Sequence, residues 1–181
     1  MAAHTIQRKP VLPLIALVAL GGALAACETV PMDGGFGPGP APGPVRGVFD
    51  AEDFAWSTAA GNASIDGRVD YRRNGQVFDC TGSVGLTPDT PYTRMRFRNL
   101  YGSTDRAAVP ESVVRARTVP DPNADYRSYV RSTTCRDGRF SFTGLPAGGW
   151  FVIVPVSAGG EDRVVLMRHV TTRNGRVSIT L

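Results

Sequence analysis

Apolar and polar residues alternate with a period of two along most of the chain after residue 60, in short runs closed by pairs of turn residues. Ala63–Tyr71 sets Ile65, Gly67, Val69 and Tyr71 against Asp66, Arg68 and Asp70, the pattern of a strand buried on one face. Asn74-Gly75 supplies the positive φ of a type I′ hairpin and returns the chain into Gln76–Cys80. Ser83–Thr87 reads as a further strand, stopped by Pro88-Asp89-Thr90-Pro91. Over Tyr92–Asn99, alternation predicts a strand with Arg94, Arg96 and Arg98 on one face and Thr93, Met95 and Phe97 on the other. Residues 100–125 hold turn residues, a candidate strand over Val113–Val119 and a loop over 120–125, with room for a short helix. Tyr126–Cys135 is a strand leading to Asp137-Gly138, a second type I′ turn, after which Phe140 and Phe142 alternate with Arg139, Ser141 and Thr143. Leu145-Pro146-Ala147-Gly148-Gly149 turns the chain into Trp150–Val156, which is apolar throughout and so predicts a central strand covered on both sides. Arg163–Val170, the Asn174-Gly175 turn and the alternating Val177, Ile179 and Leu181 complete the series. Short strands, frequent turn pairs and no long helix predict an all-β fold, an antiparallel two-sheet β-sandwich of about seven strands with Greek-key connections.

The first sixty residues break this pattern. Phe49–Trp56 places three aromatics among acidic residues and reads either as a short helix or as a strand that lays Phe54 and Trp56 on the sandwich. A structural cover is the leading role, and Trp56 is also a candidate platform for glycan stacking. Pro31–Val48 is dominated by Pro and Gly with little to bury, as in a tether; about 20 such residues span some 25 Å if flexible and roughly 60 Å if the prolines keep them extended. Before it, Arg8 and Lys9 precede an apolar run, Pro10 to Ala26, too short for a comfortable spanning helix. The run ends in Leu24-Ala25-Ala26-Cys27, which resembles a bacterial lipoprotein signal. The resemblance implies that Cys27 is acylated and becomes the mature N-terminus, holding the protein to a membrane. Glu28, rather than Asp, follows Cys27, which favours the periplasmic face of the outer membrane. The expected organisation is a signal peptide over 1–26, a lipid-anchored tether over 27–48 and one domain over 49–181.

The turn-rich stretch after residue 134 is more specific. Asp137, Gly138, Phe140, Phe142, Gly144, Leu145, Pro146, Ala147 and Gly148 match the signature D-G-x-F-x-F-x-G-L-P-A-G-x-Y, with Trp150 at the position of its Tyr. The domain thus resembles the carboxypeptidase regulatory-like, or transthyretin-like, β-sandwich family over roughly residues 63–181. Such domains are appended to many unrelated proteins, so the resemblance implies a fold and leaves the function open. Transthyretin-like hydrolases of oxidised urate use several histidines and a C-terminal Tyr-Arg-Gly-Ser; here His169 is the one histidine after the signal segment, and the chain ends Val177-Ser178-Ile179-Thr180-Leu181.

Charge and cysteine content narrow the function. The formal charge of the 181-residue chain is +4, of which Arg8 and Lys9 contribute two, leaving +2 after the signal segment and no argument for nucleic acid. Every basic residue after Lys9 is Arg. Of the three cysteines, lipidation of Cys27 leaves Cys80 and Cys135, an even number in an oxidising compartment. They predict a disulfide, the alternative being two separate small core residues. One mature histidine and no closely spaced cysteine pair argue against zinc, and neither a nucleophile elbow nor a phosphate-cradling glycine loop is present. His169, on an alternating strand, reads as a packed or rim residue ahead of a catalytic one. Most carboxylates lie beside turns, where Asp bonds the local backbone. The expectation is a non-catalytic module without cofactor or metal, lipid-anchored in the envelope, that binds or scaffolds another envelope component. Arg94, Arg96 and Arg98 are the candidate contact for an anionic partner; the competing reading is a solvated face paired with Asp66, Asp70 or the 120–125 loop. A carbohydrate or peptidoglycan binder using Trp56 is the alternative, and a small hydrolase using His169 is a third reading.

Overall fold

The computed structural model describes residues 47–80 and 82–181. The expected signal peptide, Cys27 and the tether up to residue 46 lie outside the described residues. The described chain forms an all-β sandwich with few helices. In chain order it runs through a 3₁₀ segment (Glu52–Thr58), β1 (Ala63–Arg68), β2 (Tyr71–Arg73), β3 (Gln76–Cys80), β4 (Ser83–Pro88), α1 (Pro91–Tyr101), β5 (Arg106–Pro110), α2 (Glu111–Ala116), a second 3₁₀ segment (Asp125–Tyr129), β6 (Arg131–Thr134), β7 (Arg139–Leu145), β8 (Gly148–Ser157), β9 (Arg163–Thr172) and β10 (Gly175–Thr180).

One sheet has the order β10-β1-β7. The other is built on β8, which pairs along its whole length with β9 on one side and with β4 and the end of β3 on the other. β5 extends it beyond β9, β6 beyond β4, and β2 beyond β3. Trp150, Val152, Val154 and Val156 of β8 face the small sheet and close the main core with Ile65, Phe140, Phe142, Leu145 and Ile179. Phe151 and Ile153 face the other way and pack with Phe97 and Tyr101 of α1 and with Val165 and Met167 of β9. β8 is therefore covered on both sides, as its unbroken apolar run predicts. Both Xaa-Gly turns have the positive φ expected, 52° and 80° at Asn74 and Gly75 and 49° and 70° at Asp137 and Gly138, but only the first joins a hairpin, β2 to β3; the second closes a single Arg136–Arg139 bridge, and β6 and β7 on either side of it enter different sheets. Cys80 and Cys135 are joined by a disulfide, Cα atoms 6.0 Å apart, that ties the end of β3 to the chain between β6 and β7.

The strand expected over Tyr92–Asn99 is a helix. Thr90 caps it by accepting from the Thr93 N–H, the Thr93 side chain accepts from the Thr90 N–H, Pro91 opens it, and Gly102 ends it in the left-handed region at φ 75°. Thr93, Phe97 and Tyr101 recur every fourth residue and are buried, so a helical period coexists with the period of two, and packing against β8 and β9 selects it. The strand expected over Val113–Val119 is likewise replaced: the strand is β5, and Glu111–Ala116 is helical, with Arg115 paired to Glu111 one turn back. Of the strand expected over Tyr126–Cys135, the first part is the 3₁₀ segment and only Arg131–Thr134 pairs with β4. The strands number ten among the described residues rather than about seven; one of the additions is β2, separated from β1 where the N–H groups of Val69 and Asp70 donate to Gly138 and Leu181. The small sheet is not wholly antiparallel. β10 runs parallel to β1, Ala63 facing Gly175 and Arg68 facing Thr180.

Candidate functional site

The helix redistributes the three arginines expected on one strand face. Successive residues turn by about 100°, so Arg94 and Arg98, four apart, share a side while Arg96 points elsewhere. Arg94 is ion-paired with Asp89. The Arg96 guanidinium lies over the Tyr126 ring, 4.7 Å from its centroid, and Nη1 donates to the Tyr92 hydroxyl at 3.3 Å. Arg98 is exposed. Arg94 and Arg98 border an open groove of about 1090 Å³ between α1 and residues 47–53, where Asp50 and Asp53 stand across from them. Arg94, Arg96 and Arg98 are thus not one basic surface.

Beside the groove lies a buried polar cluster that the sequence reading did not assemble. Asp89, in the turn before α1, receives Arg94 and meets His169 of β9, Oδ2 to Nε2 at 2.7 Å. Its N–H donates to the Gly149 carbonyl at 2.9 Å, and a Cβ on Gly149 would stand 2.7 Å from Oδ2, so the carboxylate fits only because β8 carries glycine there. Phe151 closes the far side of the imidazole, ring centroids 5.1 Å apart. Nε2 of His169 is thus held by a carboxylate that also engages a guanidinium, and the ring packs against Phe151. Nearby, burial raises the pKa of the Tyr92 phenol and pushes that of Tyr101 up to about 12.

Trp56 lies in the 3₁₀ segment, half-buried, its ring against Trp150 with centroids 4.9 Å apart and over Gly148, where a Cβ would meet it. Trp150 is fully buried and donates from Nε1 to the Thr172 hydroxyl at 3.0 Å. Arg131 covers Trp150, 5.6 Å from the ring centroid, and donates to the Ser57 carbonyl at 2.8 Å. Phe49 and Phe54 pack with Tyr92 and Tyr129. Residues 49–58 are therefore a cover packed on the sandwich, and Trp56, half-buried, meets Trp150 edge-on at 65° and lies over Gly148, which gives it a structural role in that cover.

The arginines that do converge are on the small sheet. The two-residue Asp137-Gly138 turn makes Arg136 and Arg139 bridge partners, with reciprocal N–H···O bonds of 2.9 and 2.8 Å. Arg139 of β7 is in turn the cross-strand partner of Arg68 of β1. Bridge partners share a face, so Arg136, Arg139 and Arg68 form a row across the hairpin and the sheet. All three are exposed, and none forms a side-chain ion pair or hydrogen bond among the described residues. Half of this row was legible, because a two-residue hairpin pairs the residues flanking it. The register between β1 and β7 was not.

No family model matches the chain, and no curated protein matches it. Among solved structures it is similar to the crystal structure of a "putative carbohydrate binding protein" from Pseudomonas aeruginosa, at 19% identity and a TM-score of 0.47, over 74% of this chain and 97% of that one.

Proposed function

We propose that the protein is a non-catalytic binding module of the bacterial cell envelope, anchored through acylated Cys27, that engages an anionic envelope component through an arginine row. The observation that carries this reading is the alignment on one sheet face of Arg136, Arg139 and Arg68, exposed and in no side-chain ion pair among the described residues. Like charges directly opposite on a sheet are destabilising, so an anion bound across the three would relieve their repulsion. Arg94, Arg96 and Arg98, dispersed around α1, give up this role. The lipoprotein-like Leu24-Ala25-Ala26-Cys27 supports the anchor, Pro31–Val48 supports a tether, and residue 28 supports the periplasmic face of the outer membrane. The match from Asp137 to Gly148, with its type I′ turn formed, supports placing the sandwich among carboxypeptidase regulatory-like domains.

The test is co-sedimentation of the detergent-solubilised protein with isolated envelope material across a salt series. Association should be strong at low ionic strength, fall steeply as salt screens the arginines, and be lost in the Arg68→Gln, Arg136→Gln, Arg139→Gln triple variant. Association that persists in the triple variant would remove the reading. Independently, Cys27→Ser should release the protein from membranes or leave the precursor uncleaved, and mass spectrometry finding an unmodified N-terminus elsewhere would refute the anchor.

A further inference from the structure

We infer that the outer face of the three-stranded sheet docks a polysaccharide that carries carboxylate groups; the inference rests on the anion-binding role proposed above and names its ligand class. Two rows of different chemistry cross this face. The first is Arg136, Arg139, Arg68 and Thr180, each the cross-strand partner of the next. Two residues along the strands, about 6.7 Å away, lies the second, Ser141 and Ser178 flanking Asp66 as its partners on β7 and β10. Neighbouring strands are about 4.8 Å apart, comparable to the length of one pyranose ring in an extended chain. Arg176 holds Asp66 Oδ2 at 2.9 Å, and Oδ1 has no hydrogen-bond partner among the described residues. Arg136 and Arg139 of the first row and Ser141, Asp66 and Ser178 of the second line a shallow depression of about 580 Å³ that also takes in Thr134 and Arg176; Arg68 and Thr180 continue the first row beyond it.

Guanidinium forks match carboxylates in a bidentate geometry. Serine and threonine hydroxyls both donate and accept, while the Asp66 carboxylate only accepts. A ligand that satisfies both rows must therefore carry spaced anions and many hydroxyls on one backbone, as an acidic glycan does. A lipid surface fits less well. Among the described residues the exposed large apolar side chains are Val48, Val77 and Val113; none lies on this face, so it has no apolar wedge for an interface.

The experiment titrates the detergent-solubilised full chain with polygalacturonate, its methyl ester, polyphosphate and dihexanoyl phosphatidylglycerol. Polygalacturonate should bind, weaken with salt, and lose about tenfold or more in affinity on methyl esterification or in the Arg68→Gln, Arg136→Gln, Arg139→Gln variant. The Ser141→Ala, Ser178→Ala variant, which removes hydroxyls and leaves the charge unchanged, should weaken polygalacturonate and leave polyphosphate unchanged. Thermal melting serves as the fold control, and the arginine variant should melt at or above the parent temperature because opposed like charges are relieved. If polyphosphate or the lipid headgroup binds through the arginines while polygalacturonate does not, or if the methyl ester binds as tightly as the acid, the glycan inference falls and anion binding stands or falls with the first two probes. If no anionic probe depends on the arginines, both readings fall.

Discussion

Asp89 and His169 stand 80 residues apart in the chain and 2.7 Å apart in space, carboxylate Oδ2 to imidazole Nε2. The pair joins the turn that launches α1 to strand β9, so the helix is held to the sheet by a polar contact as well as by Phe97 and Tyr101. The Asp89 side chain is only 7% exposed and also holds Arg94, while its Oδ1 is buried without a partner among the described residues. Asp89→Ala should therefore lower unfolding stability by about 1–3 kcal/mol, the range for losing hydrogen bonds to a buried charged group. Chemical denaturation measures this. An unchanged midpoint would mean that apolar packing alone seats the helix.

Trp56 should matter for stability and not for ligand binding. Its ring rests on Trp150 and Gly148, so Trp56→Ala removes an aromatic contact and part of the core cover, at about 1–3 kcal/mol for a half-buried ring. Glycan affinity in the same variant should be unchanged at temperatures where it is folded. Lost affinity with unaltered melting would restore the stacking role.

Stability should fall at alkaline pH. Burial raises the Tyr101 phenol from 10.0 to about 12 and moves Tyr92 in the same direction. A raised phenol means that the unfolded chain loses its proton first as pH increases. Its contribution is complete below pH 10 and disappears as pH rises through about 12, amounting to about 2–3 kcal/mol for two pKa units. Denaturant midpoints across this range should therefore drop, and Tyr101→Phe should flatten the slope. A slope unaltered by Tyr101→Phe would assign the effect to other groups.

Cutting the Cys80–Cys135 bond should weaken the domain without redirecting its fold. The bond closes a separation of 55 residues, for which the chain-entropy account gives about 4 kcal/mol as an upper figure. A Cys80→Ser, Cys135→Ser variant should unfold at lower denaturant, by about 2–4 kcal/mol. Peptide mapping that finds both thiols free in protein from the envelope would contradict the bond itself.

Much of the fold was written locally. Asn74-Gly75 and Asp137-Gly138 set positive φ wherever the chain goes next, so both turns, the β2–β3 hairpin and the bridge of Arg136 with Arg139 follow from neighbours in sequence. The unbroken apolar run from Trp150 to Val156 required cover on two sides, and the even count of cysteines after Cys27 pointed to the bond that forms. What the tertiary structure decided was every choice between two patterns that the residues satisfied equally. Residues 91–101 alternate and also repeat every fourth position, and the apolar outer face of β8 and β9 rewards only the helix, which moves Arg94, Arg96 and Arg98 off a common face. The alignment of Arg68 with Arg139, and the parallel pairing of β1 with β10, join strands far apart in the chain. Such register is set by which side chains fill the core between sheets, Gly67 leaving space that the Phe140 ring occupies. Dihedral preference acts over a few residues and is legible in sequence; register over seventy or more residues depends on packing that forms only when the sandwich closes.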